Sequence, residues 1–223
     1  MSVNNLFEKG NKFFQLQNHI SGLEVYVDIW LKYPQNTRLY EEINKKLKKF
    51  KHPILPSISQ NQINKFFELQ KIGQTSSVIK TLIILLQKDS NNILLISLLG
   101  TFYGLNGDYD EAIKFQKAAV EKAPFEITFY INLSETLRKV NRFDESLLML
   151  YFAKILSLRD ISIDHLIAKI QTNLKNYSKA DLIYNYLIKE ENISDQILYS
   201  YCDNLIKFKK EKEAIVFLKK QEL

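Results

Sequence analysis

The chain is poor in the residues that punctuate or cross-link a fold: one cysteine, four prolines, six glycines and one tryptophan in 223 residues. A single thiol, Cys202, excludes an internal disulfide framework. So few prolines and glycines leave little turn chemistry for an all-β protein, and suit long helices. Extended apolar stretches are missing as well. The longest runs, such as Leu82–Leu86 and Ile93–Ile96, fall far short of the ~20 residues of a membrane-spanning helix. The opening Met1-Ser2-Val3-Asn4-Asn5 has neither the basic start nor the apolar stretch of a secretory signal, so the expected location is cytoplasmic. Arginine is scarce: Arg38, Arg138, Arg142 and Arg159 are the only ones among 31 basic residues. The net charge of +6 is therefore a lysine charge. It accompanies the abundant Asn, Ile, Phe and Tyr of AT-rich codons, and does not point to nucleic acid as an arginine-rich surface would.

What the chain does have is apolar content, 46%, enough for a continuous core, and an internal period. Small residues recur at Ala112, Ser146, Ala180 and Ala214, 34 apart each time. A second small series, Gly100, Ser134, Ala168 and Cys202, keeps the same spacing. Tyr109, Phe143 and Tyr177 precede three members of the first series by three residues. Gly107, Asn141 and Lys175 come two residues earlier still, with Gly73 one period before them. Inside the period the pattern is helical. Ile96, Leu99, Gly100 and Tyr103 fall at i, i+3, i+4 and i+7, on one helical face. Asn106-Gly107-Asp108 breaks that helix. A second helix buries Tyr109, Ala112, Phe115, Ala119 and Val120, and Ala123-Pro124 ends it, because the residue before proline is pushed out of the α region.

The stretch Leu99-Gly100 … Tyr103 … Gly107-Asp108-Tyr109-Asp110-Glu111-Ala112-Ile113 … Lys117-Ala118-Ala119 … Pro124 closely resembles the tetratricopeptide-repeat consensus. Neighbouring copies carry part of it: Tyr130, Leu133, Phe143 and Ala153; then Ala168, Tyr177, Ala180 and Tyr184, with Asp164 where an aromatic is usual; then Leu198, Ala214 and Leu218. An earlier copy runs from Ser59 through Gly73. The resemblance implies an all-α fold, a right-handed superhelical solenoid of antiparallel helix pairs. Residues 57–223 then form an array of about five 34-residue repeats. Residues 1–52 hold a diverged repeat, with Leu6, Gly10, Phe13, Gly22, Tyr26 and Pro34 on the same template, and one further helix, about 37–51. The run Lys51-His52-Pro53-Ile54-Leu55-Pro56-Ser57 reads as the linker, since two prolines sit poorly inside a helix.

Each amphipathic pair must stack on its neighbours to bury its apolar side. The resemblance further implies that first helices line a concave groove and second helices face outward. Candidate groove residues are Ile63, Asn64, Phe67 and Gln70, then Leu94, Ser97, Leu98 and Thr101. Asn132, Glu135 and Arg138 follow, then His165 and Lys169, and finally Tyr199 and Asp203. Their drift from apolar to mixed charge suits a protein or peptide partner, an extended peptide or a helix, better than a highly acidic ligand. For any one of them, packing between helices is an equally good reading. Some family members hold a chaperone's C-terminal carboxylate with a Lys/Asn/Arg clamp, but neither of two frames of this sequence supplies the cations. One frame gives Ile63, Phe67, Leu98, Thr128 and Asn132; the other gives Ser97, Thr101, Asn132, Ser162 and Leu166.

No catalytic constellation emerges, and the expectation is a scaffold without enzyme activity, cofactor or metal. Asn106-Gly107-Asp108-Tyr109-Asp110-Glu111 fails as a calcium loop, having Glu111 at the sixth position and Lys117 at the twelfth. His19, His52 and His165 lie far apart, with no partner at ligand spacing. Cys202 fills the slot of Gly100 and reads as a buried thiol. Two other functions stay open. The chain resembles bacterial arrays that precede sulfotransferase or glycosyltransferase domains, and so an accessory region of such an enzyme. Lys45-Lys46-Leu47-Lys48-Lys49-Phe50-Lys51 is either a solvated helix face, with Ile43, Leu47 and Phe50 inward, or a weak contact for nucleic acid or membrane surface. Ile215 and Leu218 on the last helix are expected to face outward, an apolar end through which the chain associates with a second copy or a further domain.

Overall fold

A computed structural model describes the chain except residues 1, 2, 34, 35, 51–53, 55–57, 158, 159, 191, 192, 222 and 223. The expected linker thus lies, apart from Ile54, outside the described residues, as do Pro34, His52 and Arg159. Among the described residues there are helices and turns but no strand. The helices are α1 (Val3–Gln15), α2 (His19–Lys32) and α3 (Thr37–Leu47, followed by a 3-10 turn at Lys48–Phe50). The array follows as five pairs: α4 (Gln60–Lys71) with α5 (Thr75–Lys88), α6 (Ile93–Asn106) with α7 (Tyr109–Lys122), α8 (Ile127–Lys139) with α9 (Phe143–Leu156), α10 (Ile161–Asn173) with α11 (Tyr177–Leu187), and α12 (Asp195–Lys207) with α13 (Glu211–Gln221). Several first helices begin at side-chain caps. Ser59 accepts from Gln62 N–H, Asn92 from Leu95 N–H and Asp160 from Ser162 N–H, satisfying donors that the helix start leaves open.

The turn inside each pair is one device repeated. Gly73, Gly107, Asn141, Lys175 and Lys209 all have left-handed φ, between 60° and 89°, at the 34-residue period. The next residue's N–H reaches back six residues in the count from acceptor to donor: Gln74 to Leu69 O, Asp108 to Tyr103 O, Arg142 to Leu137 O, Asn176 to Gln171 O and Lys210 to Leu205 O. These bonds satisfy the last carbonyls of the first helix. Only two of the five positions are glycine, and a Cβ in this conformation costs about 1–2 kcal/mol. Lys175→Gly and Lys209→Gly are each expected to raise stability by about 0.5–1 kcal/mol, read as a higher urea midpoint at unchanged slope. Unchanged midpoints would show that these turns carry no strain.

Between the helices of a pair, the two small-residue series meet face to face. A Cβ on Gly100 would come within 2.8 Å of Gln116 Cγ and 3.1 Å of Gln116 N. In the next pair Ser146 Oγ donates to Ser134 O and lies 2.8 Å from Ser134 Oγ, so the Ser134 hydroxyl donates to Ser146 Oγ. Ala168 and Ala180 are fully buried, and Cys202 and Ala214 nearly so. Burial pushes the Cys202 thiol up, which keeps it neutral and unreactive.

The α1–α2 pair obeys the same template. Gly10 and Gly22 stand 12 apart, like Gly100 and Ala112, and Gln17 takes the left-handed turn seven residues after Gly10, as Gly107 does after Gly100. The close contact differs: a Cβ on Gly10 would meet the Tyr26 ring and one on Gly22 the Phe14 ring. Yet this pair does not stack in front of α4. It folds back, with α2 and α3 lying across α9. Trp30 meets Tyr151 edge-on at 5.5 Å, Tyr40 Oη donates to Lys154 O at 2.7 Å, and Phe14, Phe50 and Phe125 pack as a three-ring cluster beside His19. One apolar cluster therefore joins α1–α3 to the middle of the array. Two further clusters fill the α4–α6 and α10–α13 ends, bridged by Leu86, Phe115 and Ile183.

Candidate partner groove

First helices approach one another at two places in the array: α6 touches α8 and α10 touches α12, while second helices show no comparable approach among the described residues. Elements that converge lie on the inside of a bend, so the first helices form the inner face. Two cavities open on it. One, of about 280 Å³, is lined by Ile131, Asn132, Ser134, Glu135, Arg138, Leu150, Leu166, Lys169, Ile170 and Gln196. The other, of about 320 Å³, is lined by Lys169, Thr172, Asn173, Tyr184, Tyr199, Ser200, Asp203 and Lys207. Of the residues singled out from sequence, Asn132, Glu135, Arg138 and Lys169 meet in the first, and Lys169, Tyr199 and Asp203 in the second.

Charge in this region is arranged in pairs. Arg138 donates from Nε and Nη2 to both Glu135 carboxylate oxygens, at 2.8 and 2.7 Å. That hydrogen bonding holds the Glu135 carboxyl below its usual range, with the nearby Lys169 and Lys139 charges adding to it. Lys207 Nζ bonds Asp203 Oδ2 at 2.7 Å. His165 is buried, and its Nε2 lies 2.9 Å from Ser200 Oγ. Ser200 donates its own proton to Gln196 O, so its oxygen accepts from His165 Nε2–H, which assigns that tautomer. Burial first, and then Lys169, lower the imidazole's pKa, so His165 is neutral at pH 7.

The remaining candidates lie elsewhere. Asn64 is exposed and bonded to Gln60, Ile63 and Gln70 are half-buried, and Phe67 packs on Phe102 with ring centroids 5.0 Å apart. Ser97 and Leu98 are buried, and Thr101 Oγ1 donates to Ser97 O. Leu94 borders a separate cavity of about 630 Å³ with His19, Phe50, Asp89, Lys122 and Phe125, between the N-terminal helices and the array. Sequence reasoning passed over Gln196 and Ile131, which line the first cavity. The repeat itself held the signal: three periods beyond Leu94 is position 196, and one beyond Ser97 is position 131.

The lysine run forms the end of α3 and its 3-10 turn. Ile43 and Leu47 are fully buried, Phe50 packs against Phe14 and Phe125, and Lys45, Lys48 and Lys49 point to solvent while Lys46 Nζ sits 5.5 Å over the Phe7 ring. Among the described residues no helix is long and apolar enough to cross a membrane, and no three His, Cys, Asp or Glu residues gather as metal ligands.

No protein-family profile matches the chain, and no curated protein does. Solved structures do. A tetratricopeptide repeat protein from Parabacteroides merdae superposes with a TM-score of 0.64 at 15% identity, covering 97% of this chain and 77% of that one. A crystal structure of MamA gives 0.59 at 18%, covering 69% and 90%. MamA from Desulfovibrio magneticus gives 0.62 at 13%, covering 70% and 89%. At such identities the likeness is one of fold, and together with the repeated turn and the paired small-residue columns it identifies the architecture as the all-α helical-repeat solenoid of tetratricopeptide-repeat structures.

Proposed function

We propose that this chain is a non-catalytic scaffold that binds a partner protein, as a peptide or helix, along the first helices α8, α10 and α12. The observation that carries the reading is the pair of adjoining cavities on the inner face, with an apolar floor (Ile131, Leu166, Ile170) and a rim of charged side chains. Concave apolar surface with a few placed polar groups is the usual form of a binding site. The groove residues retained in this reading are Asn132, Glu135, Arg138, Lys169, Tyr199 and Asp203. Residues 1–52 and 57–223 serve in it as two parts of the chain, the first bracing the outer face at α9. Ile215, Val216 and Leu218 on α13 are all at least 41% exposed, which supports self-association at that end.

Replacing Glu135, Arg138 and Lys169 together by Ala is expected to leave the fold intact, because partly exposed changes of this kind cost little, and to abolish capture of partners in affinity purification. Leu182→Asp, at an exposed position of α11 on the outer side, is expected to retain them. Partners kept by the triple variant and lost by Leu182→Asp would overturn the groove reading.

A further inference from the structure

We propose that the groove takes a single side-chain carboxylate of its partner on Lys169, with an apolar partner residue seated beside it over Ile131, Leu166 and Ile170. The inference rests on the groove reading above and names what the groove selects.

Three cations border the two cavities, and two are already neutralised. Arg138 occupies both oxygens of Glu135, and Lys207 is paired with Asp203. Lys169 alone borders both cavities. It is half-buried, and among the described residues it has neither an ion-pair nor a hydrogen-bond partner. Its neighbour His165 is neutral and commits its Nε2–H to Ser200, so it supplies no counter-charge. Lys169 acts on the Glu135 carboxylate through space, but Arg138 already bonds both oxygens of that carboxylate, so the ammonium keeps its hydrogen-bond donors for an incoming anion.

The surroundings restrict that anion. With Glu135 and Asp203 each paired to a cation, the charged groups of the groove carry one net positive charge, so one monoanionic carboxylate balances them where a phosphate dianion or a run of acidic residues overshoots. The 280 Å³ cavity beside Lys169 has Ile131, Leu150, Leu166 and Ile170 in its lining, so a neighbouring partner residue must be apolar. In an extended peptide, residues i and i+2 share a face about 6.6 Å apart, which sets the recognised pattern as an acidic residue with an apolar residue two positions away.

The test is selection of phage-displayed random 12-residue peptides, flanked by constant sequence so that no free C-terminus enters, on the wild type and on Lys169→Glu. Wild-type selections are expected to align on one Asp or Glu near an apolar residue, and Lys169→Glu selections on Lys or Arg in its place. For one selected peptide made synthetically, changing its acid to the amide should weaken binding about fivefold. Lys169→Gln should cost the same, and the two changes together should cost no more than either. Peptides that lack the acid, or whose selection Lys169→Glu does not alter, overturn the carboxylate assignment and leave the groove standing. Peptides that still bind the Glu135, Arg138, Lys169 triple-Ala variant overturn the groove reading, and a library that yields no binder overturns both.

Discussion

Lys154→Met is expected to lower the stability of the protein by about 3–5 kcal/mol at pH 7, the usual cost of removing one member of a buried ion pair. Lys154 Nζ lies 2.6 Å from Asp164 Oδ2, with side-chain exposures of 9% and 18%. Asp164 stands where the repeat consensus has an aromatic, so this departure is matched by a lysine from the preceding second helix, whose backbone carbonyl also accepts from Tyr40. Burial raises the Asp164 carboxyl above its ordinary value even though Lys154 pulls it down. Without Lys154 the folded-state value rises further. The folded chain then binds this proton more tightly than the unfolded chain, so the penalty is full above the folded pKa and fades as pH falls through it. Urea titrations of wild type and Lys154→Met should therefore converge on acidification, from a maximal gap near neutrality. Lys154→Met combined with Asp164→Leu should recover most of the loss, since a well-packed apolar pair commonly replaces a buried ion pair without cost. A loss under about 1 kcal/mol with no pH dependence would show that the pair does not hold α9 to α10.

Two glycines one turn apart on α6 are expected to respond to the same substitution with opposite signs. At Gly100 a Cβ would sit 3.1 Å from Gln116 N and 3.3 Å from Ala112 O, both backbone atoms of α7 that cannot swing away. Gly100→Ala should push the helices apart at a cost of about 1–3 kcal/mol. At Gly104 the nearest atoms are Thr136 Oγ1 at 3.5 Å and Ala112 Cβ at 3.7 Å, ordinary contacts. There Gly104→Ala should stabilise by about 0.5–1 kcal/mol, because the unfolded chain loses freedom and the helix interior gains a better residue. Thermal and urea midpoints of the two variants decide it. Equal effects would refute the close approach at Gly100.

The two columns of small residues were readable in sequence because helix approach is a purely steric demand repeated in four of the five array pairs; α4–α5 has Phe66 and Val78 at these positions. The left-handed turn was readable at Gly73 and Gly107, where composition marks it. At Lys175 only the spacing marked it, and Lys209 and Gln17 went unnoticed, because lysine and glutamine have no turn preference and adopt this φ under the constraint of two packed helices. The groove was readable as columns of positions, yet not residue by residue. Ser97 and His165 occupy the same repeat position as the exposed Tyr199 but are buried, because burial there depends on the size of neighbours on adjacent helices, which the column does not encode.

By itself the sequence determined the 34-residue period, the pairing of helices and the side of each that packs. It also carried a sign that α9 is covered. At the positions where α7 has exposed Lys117 and Glu121, and where half-buried Asn185 of α11 and exposed Lys189 just after it stand, α9 has Tyr151 and Ile155, and Ile155 is fully buried. A helix apolar on both sides is buried on both sides. Which element covers it was decided only by the tertiary structure. The contacts of Trp30 with Tyr151 and of Tyr40 with Lys154 join residues more than a hundred positions apart, and apolar attraction is non-directional. Any exposed helical face of the right shape would satisfy α9, and it is the path of the chain through α3 that brings this one back.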